Sequence, residues 1–183
     1  MQTPSCDIVR SLLKGHVPAD SSEEQSLQRI RDLIETASAP FSRDHFDPGH
    51  LTASAIVLDD AREHTLLIFH SKLQLWLQPG GHFEPCENDP SIAAAREVLE
   101  ETGLCCTPPG GKHVLHDVDV HAIPARKADP RHYHFDLRML LLSPRVPVQA
   151  GDGVSAVRWV SRFEYSAMNL DPGLVRALKK VWK

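Results

Sequence analysis

Residues 77–104 read LQPGGHFEPCENDPSIAAAREVLEETGL, and the fold turns on how this stretch is parsed. From Asp89 onward it has the marks of a helix. Asp89 suits an N-cap, Pro90 falls at the first helical position where its missing N–H is not needed, and Gly103 offers a left-handed stop. The part before it, LQLWLQPGG, reads as a strand closing in glycines. Side chains three and four residues apart share a helix face, so Glu97, Glu100 and Glu101 are expected to project together, with Ile92, Ala95 and Leu99 as the apolar back. Like charges at that spacing repel by a few tenths of a kcal/mol, a penalty that a bound cation removes. Mg²⁺ takes oxygen ligands and commonly uses one or two carboxylates together with substrate phosphates. Acidic helix faces are ordinarily solvated surface, so the helix alone leaves both readings open.

Working outward, residues 5–15 and 22–36 have helical periodicity, the second with Leu27, Ile30, Leu33 and Ile34 behind the capping candidates Ser21 and Ser22. Residues 39–49 read as a connector. LTASAIVLDD and HTLLIFHS then form two strands ahead of LQLWLQPGG. KHVLHDVDVHAI, HYHFDLRMLLLS and VSAVRWV follow the central helix as further strands, and DPGLVRALKKVWK closes the chain as a helix with another Asp-Pro start. The organisation expected is an N-terminal helical extension and connector over 1–49 and an α/β domain over 50–183 that includes the C-terminal helix.

At 183 residues, with 42% hydrophobic and 24% charged residues, the composition is that of one globular unit. A net charge of −4 and a pI near 6.2, with no Lys/Arg cluster, argue against a nucleic-acid partner bound through a basic surface. Cys6, Cys86, Cys105 and Cys106 lack CxxC spacing and the density of a disulfide scaffold, which favours a reducing cytoplasm. No apolar run reaches the length of about 20 residues that a membrane-spanning helix needs.

In RHYHFDLRML, alternation puts His132, His134, Asp136 and Arg138 on one strand face and Tyr133, Phe135, Leu137 and Met139 on the other. The polar face either borders the substrate, with histidine or arginine on phosphate, or is the solvated side of a sheet. A transition-metal site on His132, His134 and Asp136 is hard to build from one strand, because neighbours on one strand face stand far apart. Asp117, Asp119 and His121 alternate similarly. His82 directly follows Gly81, within reach of a ligand or phosphate, and Trp76 on the strand before it suits a core anchor.

Gly81, five residues, Glu87, then Arg96-Glu97-Val98-Leu99-Glu100-Glu101-Thr102-Gly103-Leu104 resembles the Nudix box. The resemblance covers about residues 50–162 and implies the Nudix fold, an α/β/α sandwich with a mixed sheet. It implies hydrolysis of a phosphoanhydride bond in a nucleoside diphosphate linked to another moiety, by metal-activated water attack at phosphorus, with Mg²⁺ or Mn²⁺ as substitute. It makes Glu97, Glu100, Glu101 and the Gly81 carbonyl metal ligands, Arg96 a group that orients acidic side chains, and Glu87 a brace for the loop. His82, His132, His134, Asp136 and Arg138 are the candidates for the substrate side, and a homodimer is compatible with the family. Two departures bear on the loop: eight residues separate Glu87 from Arg96 where the family has seven, and Cys86 stands where glycine is common. Two alternatives share the fold. One is an isomerase like isopentenyl diphosphate isomerase, which Cys86 invites but the intact glutamate run opposes. The other is a nucleotide-sensing module, a type that usually loses the box glutamates retained here.

Overall fold

Eleven consecutive buried residues form the strand β1 (Gly49–Asp59), which is possible only for a strand covered on both faces. In the computed structural model, which describes residues 5–126, 129–151 and 153–182, β1 is the axis of a seven-stranded mixed sheet. Two helices come first, α1 (Asp7–Gly15) and α2 (Ser21–Thr36). The remaining strands are β2 (His64–His70), β3 (Leu75–Leu77), β4 (Gly80–His82), β5 (Leu115–Ile123), β6 (His132–Ser143) and β7 (Val154–Ser161). Helix α3 (Pro90–Thr102) follows β4, and α4 (Pro172–Val181) closes the fold. The order is β3-β2-β1-β6-β5, with β4 added to β1 and β7 to β2. β1 and β6 pair in parallel over their whole common length, which sets His50 beside His134, Thr52 beside Asp136 and Ser54 beside Arg138.

Because strand side chains alternate, β1 divides its residues between two layers. Leu51, Ala53, Ala55 and Val57 join Phe135, Leu137, Met139, α1, α2 and α3 in one core. Ile56 and Leu58 pack with Leu67, Val160 and the α4 residues Leu174, Ala177 and Leu178 in a second. The open mixed sheet between helices is the arrangement that the sequence implied.

Several local expectations change. The N-cap of α2 is Asp20, whose carboxylate accepts from Glu23 N, rather than Ser21 or Ser22. The third strand breaks into β3 and β4 around Gln78-Pro79, since proline cannot donate to a ladder; its carbonyl instead accepts from Ala55 N at 2.9 Å. On α3 the apolar back is not Ile92 and Leu99, which are 59% and 47% exposed; Ala93, Ala94 and Val98 are the buried apolar residues. Alanines let the helix approach β1 closely, and the bulkier Ile92 and Leu99 are turned outward. The polar face of β6 is not solvated either, for His132, Asp136 and Arg138 are all buried.

Candidate active site

Helix α3 is held at both ends as read from sequence: the Asp89 carboxylate accepts from Ser91 N, and Gly103 takes φ 73°. Its glutamates do not share one direction. At about 100° per residue, Glu100 lies about 60° to one side of Glu97 and Glu101 about 40° to the other. Glu97 and Glu101 accordingly face β4 and are partly buried, whereas Glu100 is exposed. Glu101 Oε2 accepts from Gly80 N at 3.0 Å. Glu97 lies so close to Gly81 that a Cβ there would stand 2.5 Å from its Oε1. Gly81 is thus needed for the approach of backbone to the Glu97 carboxylate, and Gly80 for the close pass of β4 against Ser54 of β1.

Arg96 is the hub of the site. Its Nε and Nη2 donate to the two Glu87 oxygens, each at 3.0 Å. Nη2 also donates to the His82 carbonyl at 2.8 Å, and Nη1 donates to Glu97 at 2.9 Å and Glu100 at 3.0 Å. One guanidinium therefore ties the loop, β4 and the helix together in the fork geometry that suits paired carboxylates. Burial works against the Glu87 charge, but the Arg96 hydrogen bond holds its carboxyl below the usual range, and the same contacts raise the Arg96 pKa. The extra residue between Glu87 and Arg96 leaves this contact intact. Glu87 N donates to the Glu84 carbonyl at 2.9 Å across Pro85-Cys86, and Cys86 has φ 74°. Proline followed by a left-handed residue fits a type II turn, which accounts for a glycine preference at position 86. Cys86 itself is exposed, and the four cysteines are free.

Burial raises the Glu97 carboxyl, and burial together with the Glu97 and Glu100 charges pushes Glu101 up to about 8, against the pull of the Gly80 N–H. Two crowded, partly buried acids beside a backbone strand disfavour their own ionisation, and a divalent cation reverses that preference. All-oxygen donors of this kind fit Mg²⁺ or Mn²⁺.

Of the residues expected on the substrate side, the fold brings His82, His132 and His134 together on the sheet face away from α3. His50, which the strand reading passed over, joins them. Ring centroids of His50 lie 5.1 Å from His82, 5.1 Å from His132 and 4.9 Å from His134. A signal existed in the sequence, because His50, Thr52 and Ser54 repeat the polar alternation of HYHFDLR. Burial, with smaller contributions from neighbouring cations and imidazoles, lowers the pKa of His50 and His82 to about 4 and that of His134 to about 2. These rings are neutral at pH 7. Asp136 accepts from Thr52 Oγ1 at 3.0 Å and Ser54 Oγ at 2.7 Å. Arg138 is surrounded by Asp117, Asp119 and Asp136 at 3.1, 3.5 and 3.3 Å. The phosphate contact expected of Arg138 finds no support in this placement: its guanidinium is committed to a buried ion-pair network.

The NUDIX domain profile matches residues 48–181. This chain belongs to the Nudix hydrolase family. A NUDIX-family hydrolase from Clostridium perfringens shares 25% identity and a TM-score of 0.52, covering 72% of this chain and 95% of that one. The NUDIX domain of Shewanella oneidensis NrtR, complexed with ADP ribose, has 18% identity and a TM-score of 0.56, over 83% and 96% of the respective chains. The E. coli dihydroneopterin triphosphate pyrophosphohydrolase has 17% identity and a TM-score of 0.54, over 71% and 92%. The last two likenesses are of fold. No curated protein matches this Nudix chain closely enough to count as a relative. No helix among the described residues is long and apolar enough to cross a membrane.

Proposed function

We propose that this Nudix hydrolase cleaves a phosphoanhydride bond in a nucleoside diphosphate linked to a further group, with Mg²⁺ as cofactor, releasing a nucleoside monophosphate and a phosphorylated remainder. The observation that carries the reading is the pair set against the Gly80-Gly81 backbone, Glu97 fixed through Arg96 and Glu101 through the Gly80 N–H. Glu97, Glu101 and the Gly81 carbonyl would hold the cation, with Glu100 at the exposed rim. When bound, Mg²⁺ offsets diphosphate charge and lowers the pKa of a water ligand. Arg96 keeps the carboxylates oriented, and Glu87 keeps Arg96 oriented.

The test is formation of nucleoside monophosphate from a panel of nucleoside triphosphates, nucleotide sugars and dinucleotide coenzymes, separated by anion-exchange chromatography, with and without Mg²⁺. Activity should require the metal. Glu101→Gln should lower kcat by about 10²–10³-fold with the thermal midpoint little changed. Unaltered turnover in the folded variant would remove the glutamate from the chemistry. The isomerase reading gains nothing from Cys86, an exposed residue whose backbone conformation answers to a turn.

A further inference from the structure

Three strands bring one ring nitrogen each from His50, His82 and His134 to within 4.8 Å of one another. The juxtaposition follows from the sheet. His50 and His134 are register partners across the parallel β1–β6 pair, and His82 on β4 stands opposite Thr52, the next residue on the same face of β1. Among the described residues this is the one trio of His, Cys, Asp or Glu so gathered.

A second observation concerns His50 alone. Its Nδ1 lies 3.1 Å from the His45 carbonyl, which can only accept, so Nδ1 carries the hydrogen and Nε2 has the lone pair. That Nε2 is buried and has no hydrogen-bond partner among the described residues. A buried nitrogen left without a partner is disfavoured by about 1–3 kcal/mol, and an ion is one of the few things that account for it. The contact with the His45 carbonyl is also the outer hydrogen bond that fixes the tautomer of a metal-ligating histidine. Around the trio, His132 stacks on His50 at 5.1 Å with its own Nδ1 donating to the Pro130 carbonyl at 2.8 Å. The wall on that side is therefore imidazole as well.

We propose that His50, His82 and His134 form a transition-metal site, separate from the glutamates of α3, that takes Zn²⁺ or another borderline divalent ion. The donor set decides the class. Imidazole nitrogens with no carboxylate in the group select zinc, cobalt, nickel or copper over magnesium. Asp136, the acid nearest in the strand pattern, is occupied by the Thr52 and Ser54 hydroxyls. Three nitrogens no more than 4.8 Å apart lie within about 2.8 Å of a common centre, whereas tetrahedral bonds of about 2.0–2.1 Å to one ion set them about 1.9 Å from that centre, so each ring moves in by at most about 0.9 Å. A tetrahedral ion held by three imidazoles keeps one position for water or a ligand oxygen.

The experiment uses the full chain stripped with a chelator, then titrated with Co²⁺ in a large excess of Mg²⁺ that saturates oxygen sites. Visible d–d absorption reports nitrogen-ligated Co²⁺, and Zn²⁺ is added to displace it. One equivalent should bind in the wild type and in Glu97→Gln and Glu101→Gln. Affinity should fall by more than about 100-fold in His134→Asn, beyond the roughly 10–100-fold that losing an outer partner causes. His82→Asn, on a half-buried edge, gives the same reading should His134→Asn fail to fold by circular dichroism. Absence of stoichiometric uptake overturns the proposal, as does uptake that persists in folded histidine variants or that disappears only in the glutamate variants.

Discussion

A methyl group on residue 81 would meet the Glu97 carboxylate at 2.5 Å and its carbon at 2.6 Å. Gly81→Ala must therefore push Glu97 off its position while leaving the strand pairing of β4 in place. Displacement of a catalytic group by about 1 Å typically lowers the rate about 10²-fold, so kcat should fall by that order with a near-native melting curve. Steady-state kinetics beside a thermal melt check it, and wild-type turnover would show that Glu97 has no role in the chemistry. Cys86 makes the opposite case. Its φ of 74° is a conformation that L side chains adopt at a penalty of about 1–2 kcal/mol, partly offset by the greater unfolded-state entropy of glycine. Cys86→Gly should raise stability by about 0.5–1 kcal/mol in urea denaturation, and Cys86→Ser should keep most of the activity. A Cys86→Ser protein that folds normally but turns nothing over would reopen a thiol mechanism.

At the scale of the element, α3 shows what local sequence can and cannot reveal. Its limits were legible because caps are local: Asp89, Pro90 and Gly103 act on their immediate neighbours. The strand faces of β6 were legible too, since alternation is a property of the strand itself. The inward face of α3 was not, because the largest apolar residues, Ile92 and Leu99, point outward and alanines face β1. Size ranks hydrophobicity, but closeness of packing is decided by the partner. Val98→Ala should therefore destabilise by about 2 kcal/mol, while Ile92→Ala should stay within about 0.5 kcal/mol. Equal losses in chemical denaturation would contradict the observed orientation. The same reasoning explains His50: its companions come from β4 and β6, residues 32 and 84 positions further on, and only register brings them alongside. The ion pairs of Arg138 were hidden for a related reason, since the aspartates that surround it come partly from β5.

Across the whole molecule, the helices ahead of the family segment are wired into the sheet. Glu23 of α2 is fully buried and accepts from Lys180 Nζ at 2.6 Å, Ala19 N at 2.6 Å and Val118 N at 3.3 Å, with His16 Nε2 at 2.7 Å. Lys180 also reaches Asp117, which pairs with Arg138 and Arg176. Burial opposes the Glu23 charge, but these partners hold its carboxyl well below the usual range; Asp119, against the same opposition, is lowered to about 2 by His121 and Arg138. Carboxyls depressed in the folded state stabilise it above their unfolded pKa of about 4, and that contribution is lost as pH falls toward the folded value. The urea midpoint should thus drop between pH 5 and pH 3. Glu23→Gln should lose about 3 kcal/mol at pH 7 and respond less to acid, as unfolding curves at several pH values would register; an unchanged acid response would exclude Glu23 as its source. Excising residues 48–182 to isolate the family segment would strand Lys180 and the aspartate–arginine lattice without their central acid and strip Leu27, Ile30 and Leu33 from the core. The portion that bears the chemistry is consequently not a detachable cassette, and fusions or crystallisation fragments have to carry the leading helices with it.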